Sequence, residues 1–382
     1  MPDNNQNAAV PARIHRIRRF RGRFLQVRIF LVKFLRLFVY QSDWKVLPMS
    51  MLVAGLVAIV IRDTMFVTME GTLIGSFALA CVSLWNGCFN SIQNICRERN
   101  VIKREHRSGM HISSYIASHV LYQALLCLVQ TCLALYIFHR MGLKIPAQGF
   151  FFSSMKVDLG VSIFLITFSA DMLSLLISSL VHSTTAAMTL MPFVLIFQLV
   201  FSGGVFKLPA WGSGLTSLTI SGNGLKCIAA QADYNSLPMV SGWNSLFKMR
   251  KETITINTTP KQVMDVLESS KNSSIKEFMA EDVFEGMTVR DLIHAMNTSP
   301  EMQEANNETI TASATIGEII DYFGEEQVRN EIMTRSSQAS QVPDYEKSKA
   351  NIAGYWFILC LHAFVYTLLS IIFLEFIDKD KR

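Results

Sequence analysis

Six apolar stretches, most of them about as long as a bilayer is thick, set the fold of this chain. They lie near Leu47–Ile61, Gly71–Gln93, Ser114–Phe138, Val157–Val181, Ala186–Phe206 and Ile352–Phe376. A helix needs roughly 20 apolar residues to cross about 30 Å of hydrocarbon, and its backbone groups must be satisfied within the segment. The stretches therefore predict an all-α integral membrane protein with six transmembrane helices, the first of which is short and extended by Met65–Phe66.

The distribution of charge predicts the orientation of these helices. Residues 1–45 contain ten Lys or Arg and two Asp or Glu, a balance of +8. Residues 206–350 contain 13 Lys or Arg and 19 Asp or Glu, a balance of −6. Because basic flanks stay on the cytoplasmic side, we expect a cytoplasmic N-terminus. Six spans then return the C-terminus to the cytoplasm, which predicts a multi-pass protein of the cell membrane.

The stretches divide the chain into five parts. Residues 1–45 form a basic tail and an amphipathic helix at the membrane interface, which is either a simple anchor or a helix that also touches a cytoplasmic partner. Residues 46–206 hold the first five spans, and 207–244 form an extracytoplasmic segment that is re-entrant or interfacial. Residues 245–349 form an extracytoplasmic helical domain between the fifth and sixth spans. Residues 350–382 hold the last span and a cytoplasmic tail.

The predicted extracytoplasmic domain carries repeated helix-start signals. Ser274, Thr288 and Thr315 are each followed three residues later by an acid and then by apolar residues. This order is typical of a capping box, in which two side chains bond the free amides at the start of a helix. We therefore expect several short helices in this part of the chain.

A charged segment at residues 97–110 lies between the second and third spans, on the predicted cytoplasmic side. Alternating Arg, Lys and Glu residues are followed by Ser108-Gly109-Met110, which is typical of a short helix with a defined end. Such a helix, held between two rigid spans, would pass a rigid-body motion of a soluble partner to them. The alternative is that its charges only mark the cytoplasmic side.

Polar residues inside the apolar stretches are the other candidates for function. Asp171 is the only acid near the middle of a span, and an intramembrane carboxylate is costly. It either accepts a proton or contacts a polar substrate group, or it is a structural Asp bonded to neighbouring helices, near His119. The further candidates for a translocation path, or for contacts between helices, are Asn86, Asn90, Gln123 and Gln198.

Enzyme chemistry has little support in this sequence. It contains no phosphate loop of the form Gly-x-x-x-x-Gly-Lys-Ser/Thr, no His-Glu-x-x-His and no Cys-x-x-Cys. We therefore expect no catalytic residues, cofactor or metal in this chain and no nucleic-acid partner. Of the seven cysteines, Cys227 is the one predicted outside the membrane, so it is either free or paired with a second protomer in an intermolecular disulfide.

The charged segment and its surroundings resemble the permease domains of ABC type-2 exporters, especially the G-subfamily branch. The matching residues are Arg97-Glu98-Arg99, Arg104-Glu105, Gly109-Met110 and Ser113-Ser114-Tyr115. Two features depart from the branch: Met110-His111 replaces its usual aromatic residue, and the insert near 245–345 is larger than its usual loop.

A second run of residues resembles the path of that family into a re-entrant external segment. It reads Pro192, then Phe201-Ser202-Gly203-Gly204, then Pro209-Ala210-Trp211. By this resemblance an extracytoplasmic gate would contain Phe201, Gly203, Gly204, Pro209 and Trp211.

The resemblance implies a permease subunit of an ATP-driven exporter, embedded in membrane lipid. Two protomers, identical or different, would form the translocation path, and a separate ATP-binding subunit would carry ATP and Mg²⁺. The residues implied in coupling to that ATPase are Arg97, Glu98, Arg99, Lys103, Arg104, Glu105 and Gly109, with Glu105 in a network of basic residues. The alternative is a membrane sensor or assembly scaffold that displays the extracytoplasmic helical domain.

Overall fold

A computed structural model gives the arrangement of most of the predicted membrane helices. It describes residues 22–40, 43–204, 213–241, 243–244 and 325–376. These residues form helices and turns, and the β-type contact among them is an isolated bridge between Gln148 and Ser154.

The described residues contain eleven α-helices, numbered here in chain order. They are α1 Arg23–Tyr40, α2 Val46–Ile61, α3 Met69–Ser91, α4 Asn94–Arg107, α5 Ile112–Arg140, α6 Met155–Leu180, α7 Thr184–Val200, α8 Ser213–Thr216, α9 Ile220–Gln231, α10 Glu325–Ala339 and α11 Lys349–Glu375. Short 3₁₀ helices lie at Asp43–Lys45, Tyr234–Ser236 and Pro343–Tyr345.

Five segments of the described chain are long and apolar enough to cross a membrane. They contain α2, α3 with the adjoining α4, α5, α6 and α11. The fifth predicted stretch also forms an apolar helix, but α7 has only 17 residues, the lower end of what can span a bilayer. The prediction of an all-α, multi-pass membrane protein is therefore confirmed.

The expected extension of the first span is wrong. The helix α2 ends at Ile61, and the chain then turns instead of continuing through Met65–Phe66. Phe66 takes φ +65°, a left-handed conformation that an L-residue in a continuing helix does not adopt. Met65 is fully buried after this turn, so its apolar character serves packing between helices.

The helix α6 is the centre of the bundle, with 18 of its 26 residues buried. It packs mainly against α3 and α11. A side chain at Gly87 of α3 would collide with the backbone carbonyl of Thr167, so glycine permits this close approach. Ser91 of α3 lies 2.7 Å from Ser174 of α6, hydroxyl to hydroxyl, in the same contact. Small and polar residues thus hold the spans together, as is usual within membranes.

The twelve-residue helix α9 is inserted among the spans. Eleven of its residues are buried, against α3, α6 and α11. The first turn of α9 is hydrogen-bonded to a side chain of α7. The amides of Ile220 and Ser221 donate to Gln198 Oε1 at 2.8 and 3.3 Å. Twelve residues measure about 18 Å, too short to cross a bilayer. The structure thus contains a buried, non-spanning helix in the segment 207–244, for which a re-entrant or interfacial position was predicted.

The two segments that flank residues 245–324 are hydrogen-bonded to each other. Asn235 and Val342 exchange two hydrogen bonds of 3.0 Å. The carboxylate of Glu70, in the first turn of α3, accepts the amide of Ser241 at 2.7 Å and that of Val240 at 3.0 Å. The predicted helix starts at Ser274, Thr288 and Thr315 lie outside the described residues.

Candidate coupling helix and intramembrane polar residues

The charged segment between the second and third spans is the helix α4. A two-residue turn at Ile92-Gln93 separates it from α3. It ends where Gly109 takes φ +100°, and the amide of Met110 donates to the carbonyl of Glu105 at 3.1 Å. Glycine allows this left-handed conformation at a helix end at little cost. The structure thus contains the short helix with a defined end that the sequence pattern predicts.

The start of α4 is bonded by a residue of α6. The amides of Ile95 and Cys96 donate to Ser178 Oγ at 3.1 and 3.2 Å. The residue at the N-cap position, Gln93, makes no side-chain cap bond of its own. Because the first amides of a helix have no partner within it, Ser178 acts as an N-cap supplied from another helix. The start of α4 is therefore attached to the end of α6, and the two should move together.

Arg99 strengthens the same connection. Its Nη1 donates to the carbonyls of Ser179 and Val181 at 2.9 and 3.2 Å. These carbonyls lie at the end of α6, where the partial negative charge of the helix favours a cation. The half-buried Arg99 thus binds within the protein, whereas the resemblance implied a contact with the ATPase.

A different set of contacts joins α4 to α1. Lys33 of α1 lies 3.4 Å from Glu98 of α4, and the hydroxyl of Tyr115 donates to the same carboxylate at 3.4 Å. Gln26 donates to the carbonyl of Gly109 at 3.4 Å and accepts the amide of His111 at 3.0 Å. The amphipathic helix α1 is therefore bonded to α4 at Glu98, to Gly109 just after the end of α4, and to His111 at the start of α5.

The remaining face of α4 is exposed and basic. Arg97, Asn100, Arg104 and Arg107 are exposed and recur at spacings of three and four, which places them on one side of the helix. We call these four residues the basic stripe. Asn100 and Arg107 were not among the residues singled out from the sequence.

The other predicted coupling residues lie closer to the body of the protein. Glu98, Arg99, Lys103, Glu105 and Gly109 are half-buried. Glu105 Oε2 is buried and has no hydrogen-bond partner among the described residues, so the expected network with basic residues is not formed at this oxygen.

Asp171 is fully buried on α6, and Cys127 Sγ donates to its Oδ2 at 3.4 Å. Its Oδ1 is buried without a hydrogen-bond partner in the described part of the chain. His119, expected near Asp171, packs instead among aromatic side chains. The centroid of its ring lies 4.0 Å from that of Phe34 and 4.8 Å from that of Tyr115. The carboxylate therefore lies among helices, and one of its oxygens is free to take a proton or a donor.

An amide pair lies next to this carboxylate. Asn90 and Gln130 exchange hydrogen bonds of 2.9 and 3.0 Å between α3 and α5, and Gln123 donates to the Asn90 carbonyl at 3.5 Å. Asn86 is half-buried one turn earlier on α3. Gln198 lies apart from this group, since it bonds the start of α9. The candidates for a translocation path therefore fall into two separate places.

The residues implied in an extracytoplasmic gate lie partly within the described chain. Phe201 ends α7, and its ring centroid lies 4.8 Å from that of Phe197. Gly203 has φ +75°, and Gly204 packs so closely on Phe77 that a side chain there would collide with the ring. Pro209 and Trp211 lie outside the described residues.

Cys227 is buried on α9, with its Sγ 3.3 Å from the hydroxyl of Ser162. A thiol enclosed within its own protomer cannot reach a second protomer without movement of α9. Of the two alternatives that the sequence leaves open, the structure favours the free thiol.

The fold is that of a polytopic helical membrane protein in which a short basic helix, bonded to three others, lies between the second and third membrane helices. Among the described residues, no group of three or more His, Cys, Asp or Glu side chains could hold a metal ion.

Residues 26–215, about half of the chain, match the family model described as ABC-2 type transporter. The chain belongs to this family and is a membrane permease component, a part of a translocation machine and not itself its catalyst. The family implies a partner ATP-binding subunit. A search of curated proteins gave no significant match to the chain.

Proposed function

We propose that this chain is the permease subunit of an ATP-driven exporter and that a separate ATPase subunit drives it through α4. The supporting observation is the division of α4 into two faces. One face is the exposed basic stripe, and the other is bonded to α1, α5 and α6. The family assignment favours this function over a membrane sensor or assembly scaffold.

The contacts of α4 supply a route for force from the ATPase into the membrane. A displacement of α4 would move the end of α6 through Ser178 and Arg99, and α6 is the most buried helix of the bundle. The same displacement would move α1 and α5 through Glu98 and Gln26. Binding and hydrolysis of ATP by the partner would bias two arrangements of these helices differently, which is the thermodynamic requirement for driven transport.

A second copy of the permease, identical or related, would cover α7. This helix buries Ala187, Met191, Leu195 and Gln198 along one stripe. Most of the rest of its surface is exposed, including Phe193 at 66%. The translocation path would lie between the two protomers, and both termini would be cytoplasmic, on the side of α4.

Reversal of one charge in the basic stripe tests this function. Arg104 is exposed and points away from the contacts that hold α4, so Arg104→Glu should leave the fold intact. Arg140, exposed at the far end of α5, provides the matched control as Arg140→Glu. Both variants would be purified with the ATPase subunit that accompanies the wild-type protein and then assayed in proteoliposomes.

We expect Arg104→Glu to reduce binding of the ATPase about tenfold or more, because reversal turns an attraction into a repulsion, and the coupling of a close charge pair at a charge-complementary interface reaches about 1.5 kcal/mol or more. ATP-driven transport should fall with it, while Arg140→Glu behaves as wild type. Retention of the ATPase and of transport by folded Arg104→Glu would refute the proposed role of α4.

A further inference from the structure

A cavity of about 220 Å³ lies beside the start of α4, where its lining includes Arg97 of the basic stripe and Asn90 of the amide pair. It is formed by α1, the 3₁₀ turn before α2, the first residue of α2, the end of α3, the start of α4, α5, and Met188 of α7. Its apolar wall contains Phe34, Phe38, Phe89, Tyr122 and Leu126. Its polar lining includes Asp43, Asn94, Arg97, Glu98 and His119.

His119 is the buried polar group of this cavity. Its side chain is only 3% exposed, and neither ring nitrogen has a hydrogen-bond partner in the described part of the chain. A buried donor or acceptor without a partner costs about 1–3 kcal/mol. The imidazole lines an open space next to charged groups, so a ligand in that space would supply the missing hydrogen bond.

One basic and one acidic side chain, Arg97 and Asp43, also line this cavity. Arg97 Nη2 lies 3.8 Å from Asp43 Oδ2, and the side chains are 45% and 42% exposed. A pair at this distance and exposure contributes little to stability, so either partner can turn to a ligand at small cost. Glu98, by contrast, already holds Lys33 and the Tyr115 hydroxyl. The cavity therefore offers one cation and one anion to an incoming molecule.

The surroundings of the cavity belong to the membrane. On α1, Leu35, Val39 and Tyr40 are exposed, and on the adjoining α2 so are Met49 and Leu52. Exposed apolar residues on an amphipathic helix and on a span are the surfaces that acyl chains cover. The cavity lies at the turn from α3 into α4, where the apolar sequence of α3 gives way to the charged sequence of α4.

We propose that this cavity binds the headgroup of a zwitterionic phospholipid from the leaflet on the side of α4. Arg97 and His119 donate hydrogen bonds to the phosphodiester, and Asp43 contacts the ammonium group. The acyl chains lie on the exposed apolar faces of α1 and α2. An anionic headgroup without an ammonium would leave Asp43 uncompensated, and a diacylglycerol would leave all three polar side chains without partners.

The test is the retention of lipid by the purified full-length protein. It is exchanged into phosphatidylethanolamine, phosphatidylcholine, phosphatidylglycerol or diacylglycerol with the same acyl chains, and bound lipid is counted by native mass spectrometry. The cavity variants are Arg97→Gln, His119→Leu and Asp43→Asn. The controls are Arg62→Gln and Asp63→Asn, which open an exposed ion pair of 3.1 Å outside the cavity.

We expect the wild type and both controls to retain one or both zwitterionic lipids at least about tenfold better than the other two, which corresponds to about 1.4 kcal/mol. The cavity variants should lose that preference. Equal retention of diacylglycerol, a preference for phosphatidylglycerol, or unchanged retention by the cavity variants would overturn the proposal. If Arg97→Gln lowers the melting temperature, Asp43→Asn, on the short 3₁₀ turn before α2, carries the test. This readout does not depend on the ATPase, so it stands or falls separately from the proposed function.

Discussion

Replacement of Ser178 by alanine should release the first turn of α4 from α6. The hydroxyl of Ser178 is the acceptor for the amides of Ile95 and Cys96, at 3.1 and 3.2 Å. Ile95 is fully buried and Cys96 is only 7% exposed, so water cannot readily replace this acceptor. Loss of an N-cap costs about 1 kcal/mol, and leaving a buried amide unpaired adds about as much again. We therefore expect the local opening free energy of this turn to fall by about 2 kcal/mol.

Hydrogen exchange followed by mass spectrometry measures this change directly. A loss of about 2 kcal/mol corresponds to roughly 30-fold faster exchange of the two amides, on the scale of 1.4 kcal/mol per factor of ten. Peptides spanning residues 92–98 should show the increase, while peptides from α11 should not.

Ser179→Ala is the matched control for this experiment. Ser179 is also buried at the end of α6, but its hydroxyl donates to the carbonyl of Leu176 in its own helix at 2.7 Å. Its loss should leave exchange in α4 unchanged. Equal exchange in the two variants would show that the Ser178 hydroxyl does not hold α4, and the route from α4 to α6 would then rest on Arg99 and on the thiol of Cys96, which donates to the Ser178 carbonyl at 3.0 Å.

Three further predictions follow from other contacts. If α7 faces a second protomer, Phe193→Cys should cross-link between protomers in a background lacking the exposed Cys132 and Cys360, whereas Phe364→Cys on α11, similarly exposed at 64%, should not. Burial raises the pKa of Tyr234 above its usual value of 10.0, and the charge of Glu70 raises it further. The unfolded chain then loses its proton first, so stability should fall as pH rises above about 10, and Tyr234→Phe should flatten that loss in thermal unfolding. Asp171→Asn should leave ATP-driven transport largely intact, because asparagine keeps the size of the side chain and an oxygen that can accept the weak bond from the Cys127 thiol; abolished transport would identify the carboxylate as functional.

The sequence predicts those parts of the structure that depend on local pattern. Alternating charges followed by a glycine predict α4 and its end at Gly109, since a helix stop needs only neighbouring residues. The spacing of apolar residues in the N-terminal region likewise predicts α1. The all-helical fold follows from the absence of water in the bilayer, which requires backbone groups to bond within each segment.

Contacts between distant segments carry no such local signal. Ser178 is one of several serines in an apolar stretch, and only the packing of α6 against α4 places its hydroxyl at two free amides. Gln198 reads as a polar residue within a span, yet it bonds the start of α9. Arg99 reads as a surface charge, but it binds the end of α6. In each case the role is set by which helix lies opposite, and a single sequence does not reveal this.

The hydrogen bonds between Asn235 and Val342 join the two segments that precede and follow residues 245–324 in the sequence. Glu70 fixes one side of this closure to α3, and Asp344 fixes the other to α9 through its ion pair of 2.7 Å with Lys226. Changes in the length or composition of residues 245–324 need not disturb the described helices, since Asn235, Val342, Glu70 and Asp344 make these contacts on either side of that segment. Natural variation can therefore accumulate in this segment without compensating changes in the membrane, and a designer could exchange it as a cassette between residues 244 and 325.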